Sequence, residues 1–161
     1  MVLIVVFSKP EKPREYIIEI IKPDSDMENV PQLSLKGFSQ AQIDVEPGMI
    51  RLTAHCYRLD IETAPEQTNS IEKALKGEID IRPNTHDLIK YVLESFDIGV
   101  LMVKIDDFIE NIYRAKLILR QNDKILNLDV RPSDAVAIAV RTNASIYVKN
   151  SLLESKGEWV C

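Results

Sequence analysis

The sequence predicts an α+β domain, a mixed or antiparallel sheet carrying a few helices. Two observations carry this. Strand-like segments of period two come in pairs separated by polar turns, and helix-like segments follow them across Pro-containing corners. That order also occurs twice. Residues 51–75 read as strand, strand ending Leu59-Asp60-Ile61, Pro corner, helix; residues 114–140 read as strand, strand ending Leu128-Asp129-Val130, Pro corner, helix. Two duplicated strand–strand–helix halves around one core would produce this pattern.

Each element has a local reason. Residues 1–7 form a continuous apolar run, 8–13 a turn with two prolines, and 16–21 a second β-rich run. Residues 1–30 are therefore expected to be a strand extension, with a polar linker over 22–31, ahead of a main domain over 31–158. Residues 33–38 and 42–45 are short strand candidates. Glu46-Pro47-Gly48 is a turn, because Pro presets φ and Gly accepts positive φ at the next position. In the next two strands Ile50, Leu52 and Ala54, then Tyr57, Leu59 and Ile61, alternate against Arg51, Thr53, Arg58 and Asp60.

A helix is predicted over 66–76, closed by Gly77; only Ile71, Ala74 and Leu75 are apolar, so it buries a narrow stripe. A second helix follows residues 82–87, with Thr85 as its expected N-cap and Leu88, Ile89, Val92, Leu93 and Phe96 as one apolar face. Residues 100–105, 113–120 and 125–130 are strands, the last two joined by the polar connection 121–124. Asp106, Asp107 and Glu110 are expected in a solvated loop. The third helix, about 133–141, is apolar all round at 135–140 and should be buried. A short strand over 145–148, a partial helix at 152–154 and a fraying tail end the chain.

The chain has 161 residues, enough for one domain with a real core. Its net charge of −5 argues against a broad basic nucleic-acid surface. It leaves a nuclease open, because a phosphate site is local and a metal ion can offset phosphate charge. The apolar run at 2–7 is too short to span a bilayer and lacks the flanks of a secretion signal, so a cytoplasmic protein with no membrane partner is expected. Cys56 and Cys161 have no metal-ligand spacing and are expected to be free thiols. His55 reads as structural.

Chemistry concentrates in two corners, residues 82–87 and 131–134. Each has Arg-Pro, a hydroxyl residue and an acid at a helix start. Helix capping and Arg–Asp or Asp129–Arg131 ion pairing account for much of this. The functional alternative is a phosphate site, in which Arg82 and Arg131 bind phosphate oxygens with Thr85 and Ser133 beside them. Asp87, Asp129 and Asp134 offer oxygen ligands to Mg²⁺ or Mn²⁺, and His86 moves a proton.

These residues resemble a known family, the bifunctional nuclease domain. The resemblance rests on Arg82-Pro83-Asn84-Thr85-His86-Asp87-Leu88 with Val92-Leu93-Glu94 downstream. It rests also on Leu128-Asp129-Val130-Arg131-Pro132-Ser133-Asp134-Ala135 and on Arg141 to Val148. It covers about residues 33–155. It implies an α+β fold, a homo-oligomer, most simply a dimer, and nuclease activity on DNA or RNA. Where the family carries a glutamate in a less polar first helix, this chain has Gln67, with Glu66 one residue away. The leading expectation is a metal-dependent nuclease with catalytic His86, Asp87, Arg131 and Asp134. The alternative is a non-catalytic oligomeric binding or assembly module whose Arg-Pro corners are structural.

Overall fold

The computed structural model describes residues 17–20 and 30–161. The expectations for residues 1–13, and most of the linker, lie outside them. The fold is α+β, with two sheets and four helices among the described residues. The strands are β1 (Ile17–Ile20), β2 (Phe38–Gln40), β3 (Gln42–Glu46), β4 (Met49–Ala54), β5 (Tyr57–Glu62), β6 (Gly99–Ile109), β7 (Ile112–Gln121), β8 (Lys124–Val130), β9 (Ser145–Lys149) and β10 (Glu158–Trp159). The helices are α1 (Pro65–Leu75), α2 (Thr85–Ser95), α3 (Pro132–Thr142) and α4 (Asn150–Lys156).

One sheet runs β1-β8-β7-β6-β9-β2 and the other β10-β5-β4-β3. Neighbouring strands are antiparallel except β6 and β9, which are parallel. The return from β6 to β9 passes through the β7–β8 hairpin and α3, and α3 packs against β6, β7 and β9. The β6–β7 hairpin turns on Glu110 and Asn111, at φ 52° and 62°. Two successive residues in the left-handed region are what a tight antiparallel connection needs to match strand twist.

A single apolar cluster joins both sheets. Ile50, Leu52, Leu59 and Ile61 of the small sheet meet Ile71 of α1, Val103, Ile105 and Leu117 of the large sheet, and Ala135 to Ala139 of α3. Each buried aliphatic side chain of this size contributes about 1.5–3 kcal/mol. The alanines of α3 let it lie close to its neighbours, which is why a helix apolar on every side ends up central. Both predicted halves appear as a strand hairpin followed by an 11-residue helix with Pro at its first turn. They lie in different sheets, and their helices pack on each other.

Several expectations are corrected. Asn84, not Thr85, caps α2: its side chain accepts from the His86 and Asp87 N–H groups, while Asp87 accepts from the Asn84 N–H. This reciprocal box satisfies three donors, which a Thr85 cap one residue later would not. The apolar face of α2 is covered only in part: Ile89 and Leu93 pack on the core, while Leu88, Val92 and Phe96 are 58%, 46% and 64% exposed. Residues 33–38 form a short 3₁₀ turn (Pro31–Leu33) and then β2. Asp106 and Asp107 lie within β6, where the register shifts, rather than in a loop. His55 sits in the β4–β5 turn at φ 53°, bonded to Ser39 Oγ at 2.8 Å.

The tail does not fray. Glu158 and Trp159 pair with Arg58 and Tyr57 of β5, and the Val160 N–H donates to the Cys56 carbonyl. That pairing brings Cys161 to Cys56, with 5.1 Å between their Cα atoms, and the two form a disulfide rather than free thiols. Sequence separation hides this, because the register that joins the two ends is a tertiary property. Among the described residues no helix is long and apolar enough to cross a membrane.

Candidate functional site at three helix starts

The candidate site lies where the first turns of α2 and α3 meet the flank of α1. The chain reaches α3 through Arg131 in extended conformation (φ −66°, ψ 143°), then Pro132, whose missing N–H costs nothing in a first turn. This places Asp134 in the first turn of α3. The Arg131 side chain folds back onto it, with Nε 2.8 Å from Oδ2 and Nη2 3.2 Å from Oδ1. Arg131 remains 72% exposed and Asp134 27%. The ion pair thus presents its cationic face to solvent.

His86 is buried beside this pair, its Nε2 3.2 Å from Asp134 Oδ1 and its Nδ1 3.0 Å from Ser70 Oγ. The donors around Ser70 set the tautomer. Arg141 Nη2 donates to Ser70 Oγ at 3.0 Å and Asn84 Nδ2 at 3.3 Å. With both lone pairs accepting, the Ser70 hydroxyl donates to His86 Nδ1. A neutral His86 then carries its proton on Nε2 and donates it to Asp134. Ser70, His86 and Asp134 have the connectivity of a hydrolase triad. Ser70 nevertheless has no lone pair left for attack and acts as an orienting relay.

Behind this layer is a buried ion pair. Arg141 Nε lies 2.6 Å from Asp87 Oδ1, with side chains only 5% and 12% exposed. Arg141 also donates to the carbonyls of Ala137 and Ser70. Burial works against ionising Asp87, but the Arg141 hydrogen bond and charge and the Asn84 N–H outweigh it and hold the carboxyl below its ordinary value. Asp87 therefore fixes α2 against α3 instead of facing the cleft.

The cleft itself is about 280 Å³, lined by Glu66, Gln67, Ser70, Asn84, Thr85, His86, Arg131 and Asp134. Gln67 Oε1 is buried there without a hydrogen-bond partner. Arg131 also lines a neighbouring cavity of about 420 Å³, formed by the end of β5, the β6–β7 hairpin and the start of α3, including Ser133.

The structure thus gathers His86, Arg131, Asp134 and Thr85 in one cleft. It places Ser133, buried, at the adjoining cavity. Arg82 is exposed and does not line the cleft. Asp129 lies beside Lys116 at 3.6 Å, and Lys116 lines a different cavity on the large sheet. Of the Arg–Asp pairings expected at this corner, the structure forms Arg131–Asp134. The three carboxylates proposed as metal ligands are therefore not gathered. Among the described residues no group of three or more His, Cys, Asp or Glu side chains is arranged to hold a metal ion. Of the three carboxylates, Asp134 alone lines the cleft.

Ser70 was not legible as a site residue, because nothing in a polar helix marks one serine. Arg141 had a signal. It is a lone cation on an otherwise apolar helix face, seven residues after Asp134, two helical turns along the same side.

The fold and cleft define a class: an α+β domain whose open cleft carries an arginine, an acid and an oriented histidine at helix starts. The bifunctional nuclease domain model matches residues 51–160, and the chain belongs to that family. An uncharacterized protein of Mycobacterium tuberculosis (Rv1829) is 40% identical over 76 residues, covering 47% of this chain and 44% of that protein. Bifunctional nuclease 2 of Oryza sativa subsp. japonica is 34% identical over 79 residues, covering 47% of this chain and 24% of its own. Bifunctional nuclease of Oryza minuta is 28% identical over 79 residues with the same coverage. The matched stretch thus spans less than half of each of these relatives.

Proposed function

We propose that this domain hydrolyses phosphodiester bonds of DNA or RNA at the cleft of His86, Arg131 and Asp134. The observation that carries the reading is the exposed Arg131 guanidinium, held by Asp134 within reach of an oriented His86, in a chain of the bifunctional nuclease domain family. Arg131 binds the non-bridging phosphate oxygens and stabilises the charge that builds on them as water attacks phosphorus. Water loses its proton to the Asp134 carboxylate, which His86 Nε2–H and Arg131 hold in place. The bridging P–O bond breaks, and the leaving oxygen takes up a proton from solvent water while Asp134 returns its own to solvent. Ser70 and Thr85 hold and border the histidine.

The test is cleavage of labelled single-stranded DNA and RNA by purified protein, in EDTA and with added Mg²⁺ or Mn²⁺. Asp134→Asn and Arg131→Ala are expected to lower the rate at least 100-fold while leaving the melting curve within a few degrees of the parent. Cleavage at the parental rate in both variants would assign the activity to something other than this cleft.

A second reading, a non-catalytic homo-oligomeric module, draws on one observation. The exposed Leu88, Val92 and Phe96 of α2 form an apolar strip with Tyr91, 39% exposed, beside it. A dimer built on this strip would bury it. Sedimentation of the parent and of Val92→Glu distinguishes a dimer from a monomer.

A further inference from the structure

We propose that the larger cavity beside the cleft seats a nucleobase next to the scissile phosphate, so that the substrate is single-stranded and bases bearing an amino group are preferred. This rests on the nuclease reading above and adds a base subsite to it.

Arg131 stands between the two spaces and lines both the His86–Asp134 cleft and the larger cavity. A phosphate on Arg131 therefore places the adjoining nucleoside at the mouth of that cavity. Its volume of about 420 Å³ falls in the range of small-ligand sites, about 300–1,000 Å³.

The walls suit a base rather than a second phosphate. One side is apolar and aromatic. Phe108 and Tyr113 lie with ring centroids 4.6 Å apart at 50°. Ile112, at the hairpin tip, is 62% exposed. The opposite side is the end of β5, with the carboxylates of Asp60 and Glu62. Asp60 is engaged by Arg58 at 2.9 Å. Glu62 is exposed at the strand end. Carboxylates repel phosphate but accept hydrogen bonds from the exocyclic amino groups of cytosine, adenine or guanine. Uracil and thymine have no such group.

Single-strandedness follows from shape. A base can enter between β5 and the hairpin only if it is splayed out of its stack, which a duplex resists. Apolar and aromatic side chains then replace the lost stacking.

The test reads binding and cleavage separately. Fluorescence anisotropy with labelled single-stranded oligo(dC) and oligo(dT), and with the corresponding duplexes, is expected to show at least fivefold tighter binding of oligo(dC) than oligo(dT). Both single strands should bind more tightly than their duplexes. Glu62→Gln should bring the two single strands within twofold of each other, and Ile112→Ala should weaken both. Equal binding of oligo(dC), oligo(dT) and duplex by the parent overturns the base subsite, even if the protein cleaves nucleic acid. The predicted selectivity without cleavage supports the subsite and overturns the nuclease reading. No binding of any oligonucleotide overturns both.

Discussion

Replacing Asp87 with Asn probes the buried pair that holds the site together. The substitution keeps the side chain's size, and the amide oxygen can still accept the Asn84 N–H. It removes the charge that faces Arg141, whose side chain is 5% exposed. Breaking one member of such a pair costs about 3–5 kcal/mol, because the remaining charge stays buried. The Ala137 and Ser70 carbonyls and Ser70 Oγ still accept from Arg141, so the lower end applies, about 3 kcal/mol. That is a large part of the ~5–15 kcal/mol available to a domain.

The pair also makes stability depend on pH. Asp87 titrates lower in the folded chain than in the unfolded one. As pH falls, the unfolded chain takes up the proton first. The stabilisation is therefore complete above about pH 4 and is lost as pH falls through the folded-state pKa. Urea unfolding followed by circular dichroism at pH 7 and across pH 2–5 measures both effects. The parent should lose stability below about pH 4 more steeply than Asp87→Asn. Adding Arg141→Met to Asp87→Asn should cost less than the sum of the single variants by about 1–3 kcal/mol. A single variant within 1 kcal/mol of the parent at pH 7, together with an unchanged acid limb, would refute this account of the pair.

Two further outcomes concern the C-terminal clasp. Cys56→Ser, or reduction of the parent, should cost about 2–4 kcal/mol and raise amide exchange at Glu158 to Val160, because the bond closes a long loop; unchanged melting with and without reductant would count against it. Gly157→Ala should cost about 1–3 kcal/mol, because an added Cβ would lie 2.4 Å from the Leu153 carbonyl oxygen, and backbone cannot step aside as a side chain can; differential scanning calorimetry of the variant measures it.

Periodicity alone placed most of the core. The alternation of Ile50, Leu52, Ala54, Leu59 and Ile61 put those side chains on one buried face. The apolar belt at 135–139 required a helix surrounded on all sides. The same logic held only in part for α2, where Ile89 and Leu93 meet the core but Leu88, Val92 and Phe96 stay in water. Periodicity says which residues share a face, and only the packing of neighbours says whether anything covers it. The capping error was of a smaller kind, since Asn84 and Thr85 are both good N-cap residues and one backbone dihedral decides between them.

The candidate site divides along the same line. The corner of Arg131, Pro132, Ser133 and Asp134 is local chemistry, and residue types with their spacing were enough to mark it and to predict Asp134 in a first turn. His86 was marked likewise. The sequence could not separate acids that face the cleft from acids that build it. Asp87 is spent on Arg141 and Asp129 lies beside Lys116. Those pairings span 54 and 13 positions of chain. The disulfide spans 105. Contacts of that range depend on how helices and strands dock, so only the tertiary structure could assign them.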